Sequence, residues 1–212
     1  MYVGRIVGVG RTTDGRLVSG YRVSSRSFPN RDAERSGRSI QIVPRAGSPD
    51  ALSDSPYIAY ECLVWNERFA VVSNGTHTRP IFERLRAGNS PRDAMVNVLS
   101  GLDREFDEHD TPRICGLMDI AKGTLWLGSI TATSLAVRPV NVANGQMAYI
   151  TTYGFPLPLD EQADTAFQAA SADDVCRHLT FSSVFSEFEK PICSAACVET
   201  ADGIETSTFN VI

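Results

Sequence analysis

Between residues 113 and 153 the chain reads as four strands in succession, at 113–119, 124–131, 135–142 and 146–153. Asn144-Gly145 separates the last two, and it is the dipeptide that best tolerates the positive φ angles of a two-residue hairpin. Strands joined by turns this short cannot run parallel, because a parallel pair needs a crossover of about a dozen residues or more. An antiparallel sheet is therefore the first constraint on any fold.

The flanking regions extend the pattern. Strands are expected at 2–10, 17–24 and 39–43, with a turn at Asp14-Gly15 between the first two. Residues 46–55 carry Gly, Pro, Ser and Asp and read as a loop. A hairpin follows, 57–65 with 68–73, turned at Asn66-Glu67. A helix is expected over 78–87, capped by Thr78 and with Pro80 in its first turn. Ser90 would cap a second helix, with Pro91 at its first position and Asp93 in its first turn. Ala94, Val98, Leu99 and Leu102 give that helix an apolar stripe. Residues 163–170 and 172–179 read as helices joined near Ser171, and strands at 192–199 and 204–209 close the chain around Asp202-Gly203. Strands, helices, strands, helices, strands: this order predicts an α+β layered sandwich in one continuous domain, residues 1–212. Neither a Gly-x-Gly-x-x-Gly loop nor a Walker loop is present.

The net charge of −5 argues against a general nucleic-acid partner. No apolar run approaches the roughly 20 residues that span a bilayer, so no membrane partner is expected. The start Met-Tyr-Val-Gly-Arg lacks the layout of a secretory signal, which makes the cytoplasm the expected compartment. Five cysteines, an odd number without regular spacing, do not read as a disulfide framework. With only three histidines, no metal-ligand set is recognisable and no cofactor is expected.

Against the acidic balance, Tyr21-Arg22-Val23-Ser24-Ser25-Arg26-Ser27-Phe28-Pro29-Asn30-Arg31 is a local basic cluster. Guanidinium groups grip phosphate oxygens two at a time, and serine hydroxyls and turn amides fill the rest. A phosphate-bearing ligand is one reading, and a basic loop facing water is the other. Ser73-Asn74-Gly75-Thr76-His77-Thr78 follows a strand and enters a helix. Gly75 could bring amides close to a ligand, Asn74 could read a heterocycle edge, and His77 could move protons. A polar turn with a threonine cap is the alternative. The run from Leu102 to Asp110 reads as an acidic helix end, where carboxylates oppose the macrodipole. It is a solvated face, a functional carboxylate or an intersubunit contact. Tyr57 and Tyr60, on one strand, would face opposite sides.

Tyr2-Val3-Gly4-Arg5, the cluster from Tyr21 to Arg31, Pro56-Tyr57-Ile58, Val71 to Thr78 and Thr111-Pro112-Arg113-Ile114 together resemble archaeal-type IMP cyclohydrolase. The resemblance runs in order along nearly the whole chain. It implies dehydrative closure of 5-formamidoimidazole-4-carboxamide ribonucleotide to IMP, the last step of de novo purine synthesis. It also implies the four-layer αββα sandwich of N-terminal-nucleophile hydrolases. Here Tyr2 follows Met1, so no nucleophile is in place, which suits a ring closure without a covalent enzyme intermediate.

The resemblance assigns roles. Arg22, Ser25, Arg26 and Ser27 would contact phosphate and ribose, followed by Asn30. Arg31 would stabilise an oxyanion. Asn74, Gly75 and Thr76 would hold the carboxamide or the purine edge. Tyr57 and Glu105 would transfer protons, with His77 in reserve. The partner is then a small-molecule nucleotide. A homo-oligomer is expected, with formylation done by a separate enzyme. An amidohydrolase of the same fold and a non-catalytic nucleotide sensor are the competing readings.

Overall fold

The computed structural model describes residues 1–49 and 59–211. In chain order it contains β1 (Arg5–Arg11), β2 (Leu17–Ser24), β3 (Arg31–Ser36), β4 (Ser39–Pro44), β5 (Tyr60–Trp65) and β6 (Phe69–Ser73). Helices α1 (Thr78–Arg86) and α2 (Pro91–Leu102) follow. Then come β7 (Arg113–Asp119), β8 (Thr124–Ile130), β9 (Leu135–Val140), β10 (Gln146–Thr151) and the two-residue β11 (Ala163–Asp164). Helix α3 (Ala172–Phe181), β12 (Pro191–Thr200) and β13 (Gly203–Asn210) complete the chain. Among the described residues the strands form two sheets, ordered β11-β10-β1-β2-β12-β13 and β3-β4-β5-β6-β7-β8-β9. Every pairing in both is antiparallel. The second sheet keeps sequence order, with α1 and α2 inserted between its central strands.

Side-chain alternation builds the layers. On β1, Val7 and Val9 point into an apolar layer between the sheets, where Tyr21, Val23, Ala195 and Cys197 meet Ile40, Leu63, Val72 and Leu127. The even residue Ile6 points the other way, to a cluster with Val175, Cys176 and Leu179 of α3. Helices α1 and α2 cover the opposite sheet through Ile81, Phe82, Leu85, Met95, Val98 and Leu99 against Val71 and Leu117. Close approach of α3 is set at Gly20, where a Cβ would stand 2.4 Å from Leu179 Cδ1. The cysteines are all free and buried, and burial pushes the Cys176, Cys193 and Cys197 thiols up to about 12. They are small core hydrophobes, as their apolar contexts suggested.

Several elements differ from expectation, each for a local reason. Strand β3 was not expected, and only its first residue, Arg31, fell in the basic cluster. It is an edge strand on which Arg31 and Ala33 alone are buried, and edge strands tolerate charge. Residues 163–170 are not helical. Asp164 Oδ1 accepts from Ala166 N at 3.0 Å and from Ser183 Oγ at 2.7 Å, and Oδ2 meets His178 Nε2 at 2.5 Å. That side chain gives the backbone an alternative to helix, and Phe167 is drawn fully into the core. Thr78 does not cap α1: the N-cap is His77, and Thr78 Oγ1 donates to the Glu61 carbonyl at 2.6 Å. Helix α2 does carry its Ser90 cap, which accepts from Asp93 N at 3.1 Å. It stops at Leu102, which is exposed, and Met95 fills its place in the stripe. Most of the acidic run is therefore a loop, and only its first acid, Asp103, stands at the helix end, as the C-cap. Tyr57 lies outside the described residues.

Candidate functional site

At one end of the inter-sheet layer a cavity of about 690 Å³ opens to solvent. Arg5 at the start of β1, the loop residues Ser25, Arg26, Ser27 and Phe28 after β2, and Tyr2 line one side. Asp107, Glu108 and His109, from the loop between α2 and β7, and Tyr153 after β10 line the other. Both sheets thus contribute to one pocket.

The basic cluster divides between pocket and scaffold. Ser25 Oγ accepts from Phe28 N at 3.0 Å and closes the turn that forms the pocket wall. The Arg26 guanidinium lies 4.5 Å over the Tyr2 ring and 2.9 Å from Glu189 Oε2, at an exposed rim. Arg22 goes elsewhere. As an even residue of β2 it faces α3, fully buried, where phosphate contact had been expected. It donates to the carbonyls of Leu179 at 2.9 Å, Phe185 at 2.8 Å and Phe188 at 2.5 Å, and to Ser24 Oγ at 3.1 Å. Burial pulls its guanidinium down to about 10. Its work is to terminate α3, not to meet a ligand. Asn30 is half-buried outside the pocket lining, its carbonyl accepting from Arg45 N at 2.8 Å. Arg31 is fully buried, and its Nε donates to the Phe28 carbonyl at 3.1 Å. Its charge bears on the Tyr60 phenol.

The second cluster gathers behind the acidic loop. Glu105 is buried, its backbone N donating to the Thr111 carbonyl at 2.9 Å. Its Oε1 lies 3.4 Å from Arg113 Nη1, and Arg113 Nε donates to the Asp103 carbonyl at 2.8 Å. Burial pushes the Glu105 carboxyl above its ordinary range, and the positive charges of Arg113 and Arg5 pull it partly back. Gly75 makes room for this carboxyl: a Cβ there would stand 3.0 Å from Glu105 Oε1 and 3.3 Å from Arg113 Nη1. Asn74 spends both ends of its amide on the chain leading into β7. Its Nδ2 donates to the Pro112 carbonyl at 2.9 Å and its Oδ1 accepts from Ile114 N at 2.8 Å. It locks a turn, and it stands outside the pocket lining. Thr76 is exposed and outside the pocket lining.

His77 is wholly buried, with Nε2 3.1 Å from the Ile114 carbonyl. A carbonyl only accepts, so the proton sits on Nε2 and Nδ1 carries the lone pair. Burial, then the nearby Arg113 charge, lowers its pKa to about 3. At neutral pH this imidazole is uncharged, and it stands outside the pocket lining.

The structure brings to this corner groups to which no role had been assigned. Arg5 belongs to the same inward row of β1 as Val7 and Val9, so a charge stands where alternation calls for an aliphatic side chain. Tyr60 meets Tyr21 hydroxyl to hydroxyl at 2.6 Å beside it. Tyr153 stacks near Tyr2 and bonds Thr111 Oγ1 at 2.9 Å, while Thr111 Oγ1 donates to Asp107 at 2.7 Å. The signal for Arg5 was available, since it interrupts a period-two apolar strand. Tyr153 and Thr111 carried none. Among the described residues no three His, Cys, Asp or Glu side chains gather to hold a metal ion, and no helix is long and apolar enough to cross a membrane.

Two facing antiparallel sheets, helices on their outer faces and a polar pocket at one end of the shared layer define an α+β protein with a small-molecule-sized site. The chain belongs to the IMP cyclohydrolase-like family, whose model matches residues 2–203. It is 39% identical to the IMP cyclohydrolase of Methanothrix thermoacetophila over 99% of both chains. It is 36% identical to that of Methanosphaera stadtmanae over 92% of this chain and 93% of that one. The corresponding values for Methanocaldococcus jannaschii are 34% and 98% of both.

Proposed function

We propose that this protein is an IMP cyclohydrolase, closing 5-formamidoimidazole-4-carboxamide ribonucleotide to IMP and water. The observation that carries the reading is the buried Glu105 carboxyl, 3.4 Å from Arg113 and within the electrostatic reach of Arg5, which lines the pocket between the sheets. Family membership supplies the reaction, and the site supplies groups that suit it.

The chemistry is a balanced condensation. The carboxamide nitrogen attacks the formyl carbon, a C–N bond forms, and the carbonyl π pair moves onto the formyl oxygen. That oxygen takes the proton released by the carboxamide nitrogen. It then departs as water with a second proton from the formamido nitrogen, as the C–O bond breaks and C=N forms. Holding both groups in contact removes much of the entropic barrier. A carboxyl that is neither firmly ionised nor firmly protonated suits a shuttle that first accepts and then returns a proton. Glu105 takes that role, with Arg31 near the developing oxyanion and Tyr57 as a second proton-transfer group. Ser25, Ser27 and Arg26, at the pocket mouth, hold the phosphate.

In this reading the layers correspond to the αββα sandwich of N-terminal-nucleophile hydrolases. Residues 1–212 act as one domain in a cytoplasmic homo-oligomer, fed by a separate formylating enzyme. Purified protein mixed with the formamido substrate and a chelator should give IMP, followed by ultraviolet absorbance. Tight IMP binding without turnover would replace the enzyme with a nucleotide sensor, and neither would sink both.

A further inference from the structure

We propose that Arg5 is a substrate-contacting catalytic residue, meeting the negative charge that develops on the formyl oxygen, and that the Tyr21–Tyr60 hydroxyl pair positions its guanidinium. The inference rests on the ring-closure reading above.

Arg5 stands at the pocket end of the inward row of β1, after which Val9 and Val7 are fully buried in the inter-sheet layer. It lines the cavity. Most arginines in the structure have a carboxylate within ion-pair distance. Arg5 has none among the described residues, and its Nε is buried without a hydrogen-bond partner. Arg5 is half-buried, and a buried donor left without a partner on a side chain that lines a cavity is costly to retain for structure alone. Two further facts fix its direction. The Tyr21 and Tyr60 hydroxyls, 2.6 Å apart and both buried, place a phenol pair of the inter-sheet layer beside it. Burial lowers the proton affinity of Arg5, and the electrostatic influence of Tyr60, Tyr21 and Glu105 more than restores it, so the group stays cationic.

The position separates two anions a nucleotide would bring. Phosphate is large, hydrated and doubly charged, and the mouth offers it Ser25, Ser27 and the exposed cation Arg26. Arg5 lies inward of these, with Glu105 as an electrostatic neighbour. Charge that appears next to the acid–base group belongs to the reacting centre, and a donor held in place before reaction stabilises it without reorganising.

Steady-state kinetics of wild type, Arg5→Gln and Tyr21→Phe, with IMP affinity by calorimetry, test the assignment. Arg5→Gln should lower kcat by about 10²–10³-fold, the loss typical of one oxyanion donor, with KM and IMP affinity within about threefold. Tyr21→Phe keeps the ring and the packing, and should lower kcat roughly five- to twentyfold through misplacement of Arg5, with KM unchanged. If Arg5→Gln raised KM and weakened IMP while sparing kcat, Arg5 would be a phosphate anchor and the proposal overturned. Tyr21→Phe altering thermal stability alone would overturn the positioning role, and it answers that point even if Arg5→Gln does not fold. A wild type without turnover would remove the ring-closure reading itself, an outcome distinct from an active wild type with an active Arg5→Gln.

Discussion

Glu105, proposed above as the proton shuttle, is costly to stability. Its carboxyl is raised by burial, more than Arg113 and Arg5 lower it. A raised acid binds its proton more tightly folded than unfolded, so stability declines as pH climbs from the unfolded value toward the folded one. Above that window the protein carries the full penalty. Glu105→Gln removes the charge and keeps the shape. At pH 8 it should leave the urea midpoint equal or higher, while turnover falls about 10²–10⁴-fold. A variant less stable at pH 8 but normally active would reverse both parts. The acid limb of the wild-type kcat/KM profile should likewise lie above the usual carboxylate range.

At the scale of elements, Arg22 illustrates what a sequence discloses and withholds. Its place in a basic run suggested a ligand. Counting along β2 would have put it on the face opposite Tyr21 and Val23, but not told which face met the pocket, since the second sheet had not yet been placed. The same holds for Asn74, whose amide is fixed by a strand that begins nearly forty residues later. By contrast, Ser90-Pro91 and the β7-β8-β9 part of the expected meander rest on contacts between neighbours in sequence, and were legible. The hairpin expected at Asn144-Gly145 does not form: β9 ends one sheet, β10 pairs with β1 in the other, and Gly145 N donates to the Arg11 carbonyl at 3.0 Å, so the turn carries the chain between sheets. Edge strand β3 and the 163–170 segment were not legible either, because charge on an edge and an Asp164 side chain bonded to distant His178 and Ser183 are long-range facts. Arg22→Met would leave several helix-end carbonyls buried and unpaired. It should cost about 3–5 kcal/mol by chemical denaturation, with KM unchanged in the folded fraction. A raised KM with intact stability would return Arg22 to the ligand.

For the whole molecule, the buried imidazole of His77 ties acid stability to the same corner that holds the pocket. Burial, then Arg113, depresses its pKa from 6.5 to about 3. The unfolded chain takes up a proton below about 6.5 that the folded chain refuses until about 3. Stability from this group is therefore complete above the unfolded value and falls steadily through that interval as pH drops. Glu105 works in the opposite sense, gaining stability as it protonates, so the two partly offset each other in mild acid. His77→Gln can keep a donor to the Ile114 carbonyl while losing the titration. The variant should be less stable than wild type at neutral pH, by about 1 kcal/mol for imperfect packing. Its urea midpoint should nevertheless fall less steeply between pH 6.5 and 4. Parallel pH dependences for the two proteins would mean that His77 is protonated in the folded state, and that its surroundings are wetter than its burial indicates.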